Sequence, residues 1–266
     1  MQISFMTANY VARQVNYHMD AGWGQGDKAT SDYFKPIKTF GERLEAYLKD
    51  IRDMGFEAID VWTSIINPAW VTDSHLDTAI ELLEEYKLPV VSLAGGFGSN
   101  ADEFEASCNL AAELNTEILG GSTGMLKTDR SLMIGMLQKY GLKIGLENHP
   151  EKTPQALLDK IRSGHDGALG ACVDTGWFGT HGYDAAKALE ELAPHLMHVH
   201  LKDVLQVGTH ESCRFGEGVV PIRECVDVLK KIGYTGAISV EHEPDFKDPT
   251  EDCKADLQML KAWLND

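Results

Sequence analysis

The sequence predicts a parallel (β/α)8 barrel, an α/β fold in which one domain spans residues 1–266. Three observations lead there. Segments of strand character alternate with segments of helical spacing along all 266 residues. Four of the strands, all in the second half, end in residues able to hold a hard metal. Glycine also recurs at one kind of junction, between a helix's last apolar residue and the following strand, in MGF (Met54–Phe56), YGL (Tyr140–Leu142) and IGY (Ile232–Tyr234). Many helices end in a left-handed residue there, and glycine adopts that conformation without steric cost.

The first strand is Ile3–Asn9. The stretch 11–38 (VARQVNYHMDAGWGQGDKATSDYFKPIK) lacks sustained periodicity and reads as an irregular loop on the active-site face. It is either a cover for the substrate, with Trp23 or Tyr17 stacking on it, or an excursion packed on the rim. A helix over Phe40–Met54 places Leu44, Tyr47, Leu48 and Ile51 on one face. Strand Phe56–Trp62 and helix Asp73–Tyr86 follow, the latter with Leu76, Ile80, Leu82 and Leu83 as its apolar face. Then come strand Leu88–Gly95, helix Ala101–Leu114, strand Thr116–Gly121 and helix Asp129–Tyr140. The metal-competent strands are Lys143–His149, Leu169–Thr175, Leu196–Asp203 and Gly236–Glu243, with helices Pro154–Ile161, Tyr183–Leu192, Pro221–Ile232 and Pro249–Leu264 among and after them. A doubly wound open sheet is the rival, but NYVARQ follows the first strand where GxGxxG would be needed, and no GxxxxGK[ST] occurs.

Composition narrows the function classes. With 24 Lys+Arg against 41 Asp+Glu the net charge is −17, which repels phosphate backbones and anionic headgroups. The basic residues form no patch, so neither nucleic acid nor a membrane surface is an expected partner. No apolar run is long enough for a membrane span, and MQISFMTANY lacks the layout of a secretory signal. The 5 cysteines are odd in number and form no CxxC pair, which favours reduced thiols and a cytoplasmic location. Cys172, two residues before Asp174, reads as a small packing residue.

The strand tips carry the functional argument. Charged groups at the ends of apolar strands are costly to bury unless paired or coordinated. A single such acid is commonly a cap or an ion-pair partner. Glu147, Asp174, His200 and Glu241, all at the same ends, point to one site where the tips converge. Three carboxylates and an imidazole suit an octahedral, oxygen-preferring ion: Mn2+ or Mg2+ fits best, with Co2+, Fe2+ or Zn2+ also compatible. By strand parity His149 shares a face with Glu147, and Lys202 and His198 with His200. His149 is then a ligand's partner, a catalytic group or a satisfied core histidine, while His198, one pleat deeper, is structural or supports a ligand. Trp62 and Trp177 at strand ends, with Lys202, are candidate substrate contacts.

GLENHP, CVDTGW, HVHLKD, FGEGVV and IGYTGAISVEHE, within the eight-repeat layout, resemble the xylose-isomerase-like sugar phosphate isomerase/epimerase superfamily of TIM barrels. The likeness spans nearly the whole chain and is tightest from Lys143 to Glu243. It implies metal ligands at Glu147, Asp174, His200 and Glu241, and, as in the ketose 3-epimerase branch, Glu147 and Glu241 as the acid/base pair. It implies a carbohydrate substrate and a homo- or hetero-oligomer. The chain departs from the epimerase pattern at two places. Trp177 stands where a histidine is usual, with His181 the candidate to replace it, and Lys202 and the more distant Arg214 stand where a substrate-binding arginine is usual.

Such a site supports proton abstraction next to a carbonyl, through a metal-bound ene-diolate. Reprotonation on the other face gives an epimer, and at the neighbouring carbon an isomer. The expectation is therefore a metal-dependent isomerase or epimerase of a non-phosphorylated sugar or keto sugar. The alternative is a lyase of the same superfamily, a 3-keto-glycoside deglycosidase or inosose-type dehydratase, with His149 as base. A phosphoesterase of the same barrel would need more histidine ligands and a basic surface, which this chain lacks.

Overall fold

The computed structural model describes residues 1–161 and 167–266. Among them, eight strands close into a parallel barrel. These are β1 (Gln2–Met6), β2 (Ile59–Trp62), β3 (Val90–Gly96), β4 (Ile118–Ser122), β5 (Lys143–Glu147), β6 (Leu169–Asp174), β7 (Leu196–Leu201) and, after a short antiparallel ribbon of β8 (Asp203–Val204) and β9 (Ser212–Cys213), β10 (Ala237–Val240). β1 pairs with both β2 and β10, which closes the ring. The register pairs Asp174 with His200 and Glu147 with Cys172, so Asp174 and His200 stand level and Glu147 lies two residues deeper.

Helices pack outside. In Ile37–Met54, Leu44, Tyr47, Leu48 and Ile51 are all at most 4% exposed, the face the spacing predicts. Gly55 and Gly141 end their helices at φ +96° and +68°, the left-handed conformation expected of those junctions. In Asp73–Tyr86 the buried face is His75, Ala79 and Leu83, while Leu76, Ile80 and Leu82 are only half-buried. Histidine can hold a core position there because Thr72 Oγ1 and the Lys35 carbonyl lie 2.8 and 3.1 Å from its two ring nitrogens.

The stretch 11–38 is more ordered than its composition suggests. It contains a short turn of helix at Arg13–Val15 and a 12-residue helix, Trp23–Phe34. Glycines and polar residues hide that helix from a periodicity test, since only Gly26, Thr30 and Phe34 are buried along it. Gly26 is at a contact that no larger residue fits: an added Cβ would lie 2.4 Å from the Val11 carbonyl oxygen. All five cysteines are buried free thiols. Among the described residues no helix is long and apolar enough to cross a membrane.

Candidate active site

A cavity of about 1120 Å³ opens over the C-terminal ends of the strands, with Met6, Trp62, Glu147 and Asp174, the last residues of their strands, in its lining. That is where a barrel of this kind places its chemistry. Glu147, Asp174 and Glu241 each bring one carboxylate oxygen within 4.8 Å of the others. His200 joins them: its Nδ1 lies 2.8 Å from Glu147 Oε1 and 3.1 Å from Glu241 Oε2. The four strand-tip residues therefore converge.

The two readings of a strand-end aspartate both hold at Asp174. Its Oδ1 accepts from the Gly176 and Trp177 amides at 2.7 and 3.2 Å, capping the helix Thr175–Thr180. Its Oδ2 points elsewhere and, like Glu241 Oε2, is buried without a hydrogen-bond donor. Lys202 Nζ stands 3.2 Å from that Oδ2, and His200 Nδ1 3.1 Å from the Glu241 oxygen, at ion-pair distance without hydrogen-bond geometry. Carboxylate oxygens left over in this way, beside a third carboxylate and an imidazole, are the donor set that a hard or borderline divalent cation uses. The residues fit the expected metal.

Lys202 is 2% exposed, an unusual place for a lysine, and its Nζ also lies 2.8 Å from Glu241 Oε1 and 2.9 Å from Glu243 Oε2. Burial opposes its charge, but Asp174, Glu241 and Glu243 outweigh that and raise its pKa well above the usual value. In the same way burial would raise the Glu241 carboxyl, and Lys202 with His200 holds it below the carboxylate range instead. Glu243 and Asp174 are left with net upward shifts, to about 7 and about 6, because burial and neighbouring carboxylates exceed what Lys202 returns to them.

An aromatic wall flanks the charges. Trp177 stacks on His210 at 3.7 Å and meets the His149 ring edge-on at 4.3 Å. Burial and Lys202 lower the His210 pKa to about 2, so it is a neutral acceptor, 3.4 Å from Lys202 Nζ. Trp23 reaches in from its helix, 5.2 Å from Trp62, with its indole N–H directed to Glu243 Oε1 at 3.3 Å. Of the sequence-derived substrate contacts, Trp62, Trp177 and Lys202 line the cavity, as does His149. His181 and Arg214 do not. His181 turns its Nε2 to the His149 carbonyl oxygen at 3.4 Å, and Arg214 is drawn to Asp252 at 2.6 Å. Tyr17 packs on the core away from the cavity.

Four participants escaped the sequence reading. Asp60 lies beneath the four converging residues and touches both His198 and His200. Its signal was available, because it shares a strand face with Trp62 and is a lone charge inside IDVW. Asn148 clamps β5 to β6, donating to the Asp174 carbonyl at 2.9 Å and accepting its amide at 2.8 Å. Glu243, the last residue of the predicted strand Gly236–Glu243, was given no role, and His210 arrives on a connection that no local pattern places. Cys172 is fully buried beneath the site, its Sγ 3.7 Å from His200 Nε2.

A family model described as xylose isomerase-like TIM barrel matches residues 48–263. An uncharacterized protein of Methanocaldococcus jannaschii is 28% identical over 232 residues, 82% of this chain and 74% of that one. The L-ribulose-5-phosphate 3-epimerase of Escherichia coli is 31% identical over 81 residues, which are 30% of this chain and 27% of the enzyme. Among solved structures, a D-tagatose 3-epimerase-like protein superposes with a TM-score of 0.72 at 19% identity, covering 100% of this chain and 97% of that one. The IOLI protein, solved with a zinc atom, gives a TM-score of 0.69 at 17% identity over 98% and 97% of the two chains. At such identities the structural likeness establishes the fold.

Proposed function

The chain belongs to the xylose isomerase-like TIM-barrel family, and from that premise we propose that it is a divalent-metal-dependent isomerase or epimerase of a sugar or keto sugar. The observation that carries the reading is the group Glu147, Asp174 and Glu241 on the cavity floor, two of whose buried oxygens receive no hydrogen bond. Glu147, Asp174, His200 and Glu241 would hold the ion. When bound, it supplies Lewis-acid polarisation of a substrate carbonyl, which acidifies the adjoining C–H. Mn2+ or Mg2+ suits the carboxylate-rich set, and zinc in the IOLI structure is compatible with it.

Glu147 and Glu241 do the proton work. They enter the cavity from β5 and from the end of β10, with β6 and β7 between those strands. One can take a proton from carbon and the other return it on the opposite face. Lys202 keeps Glu241 ionised and places a buried positive charge where negative charge would develop on substrate oxygens. Trp62, Trp177 and Trp23 give the sugar apolar faces to stack on and help to exclude water. Glu211, Glu217 and Asp245 add further negative charge to the lining, and its other lysine, Lys247, is paired with Asp252. A non-phosphorylated substrate fits such a lining better than the phosphate ester named for the E. coli relative. The cytoplasm is the proposed location, in keeping with five buried free thiols.

A second reading draws on His149, whose ring lines the cavity against Trp177. With His149 as base and a leaving group beta to the carbanion, the same site is a lyase. Proton exchange in D2O separates the two, followed by NMR on free ketoses and 3-keto-glycosides with Mn2+ removed before detection. Deuterium beside the carbonyl of an intact sugar is the expected result. Loss of water or an aglycone from a 3-keto substrate, without exchange into free ketoses, would move the assignment to the lyase.

A further inference from the structure

We propose that Asp60 is a positioning residue that fixes the ring tautomer of His200, so that His200 meets the metal through Nδ1. The proposal rests on the metal reading above. Asp60 is 0% exposed and touches none of the cavity; His200 lies between it and the carboxylates. Asp60 Oδ2 lies 3.1 Å from His200 Nε2, on the side of the ring away from Glu147 and Glu241. A carboxylate can only accept, and a neutral imidazole carries one N–H. Without an ion the ring faces carboxylates on both sides; when an ion binds among Glu147, Asp174 and Glu241, the proton that leaves is the one on Nδ1, and Asp60 keeps the proton on Nε2. The neighbouring Cys172 thiol, 3.7 Å from the same nitrogen, is a far weaker partner.

Two features show that Asp60 is itself held for this task. The same Oδ2 is 2.7 Å from His198 Nε2 and accepts from Ser239 Oγ at 2.8 Å, while Ser92 Oγ braces His198 at 3.2 Å. The β2–β3 register slips between Ile59 and Asp60, an irregularity of the kind that re-aims a side chain. Packing alone would not select this residue. Its Oδ1 is buried with no hydrogen-bond partner, so an acid here costs stability that an apolar side chain would not. A carboxylate behind a ligating histidine commonly sets that ligand's orientation and basicity.

The test is calorimetric titration of the purified full-length protein with Mn2+, beside histidine 15N NMR of the wild type with Zn2+. Asp60→Asn should weaken Mn2+ binding about 10- to 100-fold while leaving the metal-free protein folded. In the wild-type spectrum, His200 should show Nε2 protonated and Nδ1 shifted by zinc. Unchanged Mn2+ affinity in a folded Asp60→Asn, or zinc on Nε2, would overturn the proposal. The NMR result decides alone should the variant not fold. Glu147→Gln is the control for the underlying reading: if it binds Mn2+ as tightly as wild type, the metal assignment falls and this inference with it.

Discussion

Two groups of buried carboxylates sit close together near the ends of β7 and β10, and they are satisfied in opposite ways. In the cavity floor, Glu147, Asp174, Glu241 and Glu243 share two cationic partners, Lys202 and His200, and oxygens are left over. Under the 212–220 loop, Asp203 is fully used. Its Oδ1 accepts from the Val204 and Val220 amides at 2.9 and 3.0 Å, and its Oδ2 from Gly216 and Gly218 at 2.9 and 3.0 Å. Asp252 beside it takes Arg214, His242 and Lys247. Burial of an acid therefore does not identify a site. Unused oxygens that face a cavity do.

The largest expected effect breaks the first group. Glu241→Gln removes an acid/base group and a ligand while keeping the shape, so turnover should fall by roughly 10³-fold or more. Mn2+ binding, measured by calorimetry, should weaken only in part, because Glu147, Asp174 and His200 remain. Stability should fall as well, since glutamine cannot replace the charge that Lys202 and His200 hold in the fold. Undiminished turnover in the exchange assay would sink the two-glutamate mechanism.

Asp203→Ala should do the reverse, costing stability first. Four amide donors lose one acceptor, and a loss of roughly 3 kcal/mol or more in urea unfolding is expected. Activity should suffer indirectly, because the loop presents Ser212 and Glu217 to the cavity. Full stability in this variant would mean that the loop is held by its other contacts and that the two groups are not as different as the geometry implies.

That contrast also marks what was legible in the sequence. The barrel and the convergence of Glu147, Asp174, His200 and Glu241 were readable because each strand is a short apolar run whose charged tip stands out against it. FGEG was visible as a motif, yet its reason was not. Gly216 has φ +85° and an added Cβ at Gly218 would lie 2.3 Å from Asp203 Oδ1, so the glycines serve a carboxylate more than ten residues earlier. Asp60 and His210 were missed for a related cause: their partners, His200 and Trp177, are close only once the ring has closed. Arg214 was expected at the substrate for want of a view of Asp252, which comes from the last helix, Thr250–Asn265.

Asp256 is the exception within the second group, and pH sharpens the comparison there. Its Oδ1 accepts from the Phe215 amide at 3.0 Å, but its Oδ2 is buried with no hydrogen-bond partner, away from the active-site cavity. Burial pushes its carboxyl up to about 7. The folded value exceeds the unfolded one, near 3.9, so the native state holds the proton more tightly. The stabilisation from this group is complete below pH ~4 and is lost as pH rises through about 7. Asp256→Asn mimics the protonated form. Calorimetric melting should find it more stable than wild type at pH 8, by on the order of 2 kcal/mol, and level with it near pH 4. An equal difference at both pH values would mean that the charge is compensated in the fold.

The smallest expected effect comes from His149→Ala, which tests how far the catalytic group extends. His149 is exposed on the turn after β5, its amide on the Glu147 carbonyl at 3.0 Å and its ring against Trp177. If Glu147 and Glu241 carry both proton transfers, removing this ring trims the substrate's surroundings and turnover should stay within about tenfold of wild type. If His149 is the base, as the lyase reading requires, the variant should lose nearly all activity on a 3-keto substrate while its Mn2+ titration is unchanged. That combination would transfer the proton chemistry from the crowded, cation-shared carboxylates to a solvent-facing imidazole, leaving the carboxylates the single task of holding the metal.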